Sequence, residues 1–123
     1  MEVTRCLHAA LLVSDIARAA AFYDQVLQLP KVERPFNYAG LWYQLGATQF
    51  HLIEDPTFAT RLHNPQKLGA NPHVAFGVKD LSLVRSQLDA QHYPYEMSAS
   101  GRLALFLQDP DGNVIEISQD AEG

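Results

Sequence analysis

A chain of 123 residues is long enough for one domain whose core holds without staples, and 47% hydrophobic with 19% charged residues is ordinary globular composition. A formal charge of −5 with no basic stripe argues against nucleic acid as a partner, and the single Cys6 excludes an internal disulfide. No apolar run approaches the roughly 18 residues of a membrane span and no signal-peptide pattern opens the chain, so no membrane partner and a cytoplasmic location are expected.

Residues 6–13 read as a strand, with Leu7, Ala9, Leu11 and Val13 on the face to be buried. Ser14 or Asp15 then caps a helix in which Ile16, Ala19, Ala20, Tyr23, Val26 and Leu27 follow helical spacing, and Pro30 ends it. Strands are expected over 38–45 and 48–53 around a turn at Gly46-Ala47, followed by a polar connection over 54–72 with Pro56 and Pro65. The same order then returns: a strand over 73–78, a helix capped by Asp80 and carrying Leu81, Val84 and Leu88, then strands over 102–107 and 114–118 around an Asp-Pro-Asp-Gly turn at 109–112. The pattern is strand–helix–strand–strand with room for a further strand, twice: one repeat over about 4–55 and a second over about 70–120 of a single domain.

Three chemically loaded pairs obey one spacing. His8 and His73 stand 65 residues apart, as do Asp15 and Asp80, and His51 and Glu116. Strand alternation puts all four His/Glu positions on the side opposite the buried apolar set. Asp15 and Asp80 are helix caps. His8, His51, His73 and Glu116 are instead candidates to converge on one divalent ion. Imidazole nitrogen and carboxylate oxygen suit Zn, Ni, Mn, Fe or Co and suit Ca poorly. His63 and His92 fall outside the repeat and read as surface histidines.

The most specific stretch is 100–116, Ser-Gly-Arg-Leu-Ala-Leu-Phe-Leu-Gln-Asp-Pro-Asp-Gly-Asn-Val-Ile-Glu, supported by Asn71-Pro-His-Val-Ala-Phe with Asp80-Leu81 and by Leu7-His8 with Ser14-Asp15. On these residues nearly the whole chain resembles the vicinal oxygen chelate superfamily: glyoxalase I, fosfomycin-resistance thiol transferases, methylmalonyl-CoA epimerase, extradiol dioxygenases and bleomycin-resistance proteins. The resemblance implies an α+β fold of two tandem βαβββ modules forming a cup-shaped mixed sheet around one divalent metal, in a homodimer. It places His8, His51, His73 and Glu116 at the four ligand positions, with Glu116 and His51 as catalytic groups.

Where this chain has His51, glyoxalase I has a glutamate that moves the substrate proton, which leaves Glu116 as the one carboxylate base. The fosfomycin-resistance branch needs no carboxylate at that position, but its members resemble one another in a threonine where Ala10 stands here. The implied activity is a metal-dependent lyase, isomerase or transferase acting on a small oxygenated substrate, with a thiol as a potential co-substrate, through an enolate- or alkoxide-like intermediate. The alternatives are a non-catalytic, bleomycin-resistance-like binding dimer and an extradiol-type dioxygenase. Arg102, Arg34 and Arg61 are candidates for an anionic substrate, and Trp42, Tyr43, Phe36 and Tyr95 for an apolar pocket, with Trp42, Arg102 and Tyr95 foremost.

Overall fold

The computed structural model describes residues 1–35 and 39–120; Phe36 and Tyr38 lie outside them. The chain divides into two compact units, Met1–Ala59 and from Thr60 onward. In the first, β1 (His8–Val13) leads into α1 (Ile16–Ala20), and β2 (Lys31–Val32), β3 (Gly40–Leu45) and β4 (Thr48–Glu54) follow. The second repeats the order with β5 (His73–Val78), α2 (Leu81–Ala90), β6 (Glu96–Met97), β7 (Ala104–Gln108) and β8 (Val114–Gln119). Each unit forms a four-stranded mixed sheet, ordered β1-β4-β3-β2 and β5-β8-β7-β6, with one parallel pair and two antiparallel pairs. The short strands β2 and β6 fill the room left for a further strand in each repeat.

Both helices start the same way. Asp15 sits in extended conformation and its carboxylate accepts from Arg18 N, while Asp80 accepts from Ser82 N and Leu83 N. A second cap comes from the end of the sheet: Glu54 Oε2 accepts from Ile16 N at 2.8 Å and Gln119 Oε1 from Leu81 N at 3.0 Å. These four acceptors answer backbone N–H groups that a helix start leaves without partners.

The first helix is not regular to its end. After Ala20 it widens over Ala21–Val26 into a π-helical turn, with Leu27 N bonded to Phe22 O at 3.0 Å. Wider turns bring the neighbours Phe22 and Tyr23 both inward, where their rings meet edge-on at 4.8 Å. Gln28, at φ 57°, and Pro30 then end the helix.

Tyr23 packs on Tyr43 and Phe50, and with Val13, Ala19 and Leu52 these make the core of the first unit. The Tyr43 hydroxyl donates to Asp24 Oδ1 at 2.7 Å, and burial followed by that acid pushes its pKa far above the usual phenol range. Tyr43 is therefore core rather than pocket lining. Leu7, expected inside, precedes β1 and is exposed. The strand expected over 102–107 begins at Ala104, which leaves Arg102 in the preceding loop. No helix among the described residues is long and apolar enough to cross a membrane.

Ile115 on β8 is fully buried, whereas Leu103 beside β7 is 59% exposed. Ile115→Ala is expected to cost about 2–5 kcal/mol in urea unfolding, and Leu103→Ala no more than about 0.5 kcal/mol. Equal losses would contradict this placement of the core.

Candidate functional site

Register brings the repeat-related residues together in the same way in each unit. In the parallel pair β1/β4, His8 lies opposite Gln49 and Ala10 opposite His51; in β5/β8, His73 lies opposite Val114 and Ala75 opposite Glu116. Each edge-strand histidine is thus two positions from the residue facing the second donor, on the same side of its sheet. An aromatic residue faces that donor from the antiparallel neighbour: Trp42 opposite His51 and Phe106 opposite Glu116.

In the second unit the pair makes direct contact. His73 Nδ1 lies 2.7 Å from the Asn71 carbonyl, which can only accept, so Nδ1 carries the proton. Its Nε2 then faces Glu116 Oε1 at 3.1 Å. With a neutral imidazole, two lone pairs would oppose each other across that gap. Either a proton on Nε2 or a cation between the two groups resolves the conflict.

The other carboxylate oxygen is held. Ser118 Oγ donates to Glu116 Oε2, and Arg102 Nη1 reaches it at 3.5 Å. Burial pulls the Glu116 carboxyl upward, but the Ser118 hydroxyl, the Arg102 guanidinium and His73 outweigh it and hold the group below the usual carboxylate range. Glu116 is only 7% exposed, and Phe106 meets the His73 ring edge-on at 5.6 Å. Beside this group a cavity of about 230 Å³ is lined by Lys67, Gly69, Ser98, Ser100, Arg102 and Phe106.

In the first unit His51, also 7% exposed, is the middle of a three-ring stack. Trp42 lies on it at 4.0 Å and 5°, and His8 at 4.2 Å and 19°. Burial first, then the charges of His8 and Arg34, lower its pKa, so the ring is neutral near pH 7. Neutral imidazole is the form that offers a lone pair. Among the described residues, no group of three or more His, Cys, Asp or Glu side chains is placed to hold a metal ion.

Of the residues expected to bind substrate, Arg102 adjoins Glu116. Trp42 has one face committed to His51. Tyr95 is elsewhere: its hydroxyl donates to Asp89 Oδ1 at 2.8 Å, and its ring lines a separate cavity of about 650 Å³ with Tyr93 and Leu62. Arg34 donates to Gly40 O at 2.6 Å, and Arg61 is exposed. His63 and His92 are exposed outside both pairs.

Sequence reasoning passed over Ser118, Gln49 and Asn71. Asn71 is buried; its Oδ1 accepts from Asn64 N at 2.8 Å, and its Nδ2 donates to the carbonyls of Asn64, Lys67 and Leu68. These bonds shape the loop before β5 and aim the carbonyl that fixes His73. The Asn-Pro-His spelling was the available signal, since a polar residue two before a ligand candidate is placed to orient it.

The chain belongs to the Glyoxalase/Bleomycin resistance protein/Dioxygenase superfamily, whose family model matches residues 5–117. It is 28% identical to Glyoxylase I 4 of Arabidopsis thaliana over 95% of this chain and 71% of that protein. It is 24% identical to a "Probable lactoylglutathione lyase" of Vibrio cholerae, over 99% of this chain and 95% of the relative. The solved structure of lactoylglutathione lyase from Agrobacterium tumefaciens superposes with a TM-score of 0.70 at 19% identity, covering 99% and 98% of the two chains; at that identity the likeness concerns the fold.

Asn71→Ala removes the side-chain partner of Asn64 N and Asn64 O, while the carbonyls of Lys67 and Leu68 keep the backbone N–H groups of Ala70 and Asn71. Each buried polar group left without a partner costs about 1–3 kcal/mol. We expect a loss of at least that size in chemical unfolding, with faster amide exchange at Asn64 than at β8. Unchanged exchange at Asn64 would show that the loop holds without the staple.

Proposed function

We propose that His8, His51, His73 and Glu116 together hold one divalent cation, and that the protein is a metal-dependent lyase, isomerase or thiol transferase for a small oxygenated substrate. One observation carries this reading: His73, protonated at Nδ1 by its bond to Asn71 O, turns its Nε2 onto the Glu116 carboxylate. An imidazole lone pair beside a carboxylate oxygen is the donor chemistry that zinc, nickel, manganese and iron(II) accept. When bound, such an ion supplies Lewis-acid polarisation of substrate oxygens.

The chain's own groups divide the remaining work. Glu116 is kept ionised by Ser118 and Arg102, so near neutral pH it is a carboxylate with lone pairs to offer an ion or a proton, and the contacts that lower its pKa also weaken it as a base. Ser118 fixes Oε2 and thereby directs Oε1 toward His73. His51, neutral and stacked between two rings, has a single lone pair, which accepts a proton only while it is not holding the ion. Lys67 and Arg102, with Ser98 and Ser100, line the adjoining cavity, and these two cations beside the one carboxylate of Glu96 suit a polar substrate end with an anionic group.

The names of the relatives support a lyase, and lactoylglutathione supports a thiol-derived substrate. Retention of all four donor positions favours an enzyme over a binding module. A homodimer in the cytoplasm completes the reading, in keeping with the exposed apolar Leu7 and Leu12 and the free Cys6.

Trp42 is the sole tryptophan of the chain and lies on His51, so its fluorescence reports on that ring. Titrating protein purified without added metal with Ni²⁺ is expected to quench Trp42 and saturate near one ion per chain. His73→Ala and Glu116→Gln should weaken binding by more than the about 10–100-fold that loss of an outer-sphere partner costs. No quenching and no thermal shift with Ni²⁺, Zn²⁺ or Mn²⁺ would favour the binding module instead. Assays with the hemithioacetal of methylglyoxal, and with fosfomycin plus a thiol, separate the lyase and transferase branches.

A further inference from the structure

His51 sits at the end of a chain of side-chain hydrogen bonds that begins on the backbone. Gln44 Nε2 donates to Gly46 O at 2.7 Å, Gln49 Nε2 donates to Gln44 Oε1 at 2.9 Å, and Gln49 Oε1 lies 2.9 Å from His51 Nε2. Amide orientations are ambiguous when taken singly, but a backbone carbonyl can only accept. Gly46 O therefore fixes Gln44, Gln44 fixes Gln49, and the oxygen of Gln49 is what His51 meets. Nε2 must be the donor of that last bond. We propose that Gln44 and Gln49 are positioning residues that hold His51 as its Nε2–H tautomer, leaving Nδ1 as the nitrogen that offers a lone pair.

Two further features agree. The Trp42–His51–His8 stack fixes the plane of the ring but not which edge carries which nitrogen, because a half-turn of the imidazole leaves the stack intact. Only the bond to Gln49 separates the two orientations. The relay is also confined to the half that needs it. At the register position of Gln49, the second unit has Val114, opposite His73 as Gln49 is opposite His8. There the corresponding donor is Glu116, whose two oxygens pose no choice of tautomer, and Ser118 and Arg102 hold it instead. The turn carrying Gly46, at φ 60°, joins β3 and β4, so the relay is anchored in the same hairpin that carries Trp42 and His51.

The tautomer stands on this geometry alone, while the use of Nδ1 as a donor rests on the proposed cation. Long-range ¹H–¹⁵N correlation on the full chain, metal-free, at neutral pH, reads the tautomer directly, with His51 assigned by loss of its signals in His51→Gln. The expected pattern is a protonated Nε2 and a bare Nδ1. Gln49→Leu should convert it to a mixture, and Gln49→Glu, which keeps an acceptor at that reach, should restore it. Gln44→Leu, one link further away, should weaken the preference and serves if Gln49→Leu fails to fold. A proton on Nδ1 in the wild type, or an unchanged pattern in both leucine variants, overturns the proposal.

Zn²⁺ alone is then added. A coordination shift at Nδ1 with Nε2–H retained is expected, with affinity about 10–100-fold weaker in Gln49→Leu. A shift at Nε2 overturns the assignment of the donor. No response at His51, with Nε2 still protonated, leaves the relay standing and removes the cation from the reading above.

Discussion

A strand shows alternate side chains to opposite faces, and here that period-two rule is combined with a parallel pairing of fixed register. In each unit the edge strand brings a histidine to within one diagonal step of a donor on the neighbouring central strand, His8 toward His51 and His73 toward Glu116. A slip of one residue in either pair would turn the donor into the apolar layer and a Phe or Ile out of it. The cores of Phe50 and Leu52, and of Ile115 and Ile117, forbid that slip, because those side chains are at most 4% exposed. The chemistry is held in place by packing on the other face of the same strands.

The two halves then diverge in how they treat the central donor. Glu116 is surrounded by groups that favour its charge, so a buried carboxylate stays ionised despite desolvation. His51 is buried among rings and feels the Arg34 guanidinium, so its imidazole stays neutral. Both environments prepare a lone pair. Each has its own supporting partners, a hydroxyl and a guanidinium in one case and a relay of amides in the other. The twofold likeness survives in the helix caps, where Glu54 and Gln119 perform the same service from the ends of corresponding strands.

Much of this was legible in the residues. The equal spacing of His8/His73, His51/Glu116 and Asp15/Asp80 predicted equivalent modules, and both acids cap their helices. The alternation of Ala9, Leu11 and Val13 with His8, Ala10 and Leu12 holds in β1, although Leu7 escapes it by lying outside the strand. The π-helical turn after Ala20 was not legible, because helical periodicity cannot distinguish a regular turn from a widened one over six residues. Tyr43 misled because aromatic composition says a ring will be buried but not on which side of a sheet, whereas Tyr95, in the loop before β6, lines a cavity apart from Glu116.

The sequence by itself determined the repeat, the family and the faces of the strands, and singled out four candidate donors, because these depend on spacing along one chain. Tertiary structure alone decided which nitrogen of His73 bears its proton, which oxygen of Glu116 is restrained, and that Trp42 is spent on stacking against His51. Such choices depend on partners distant in sequence, such as Glu116 for His73, or on loop carbonyls whose direction is set only when Asn71 and Gly46 take their folded conformations. Hydrogen-bond direction is a property of three-dimensional neighbours, and residue order does not encode it locally.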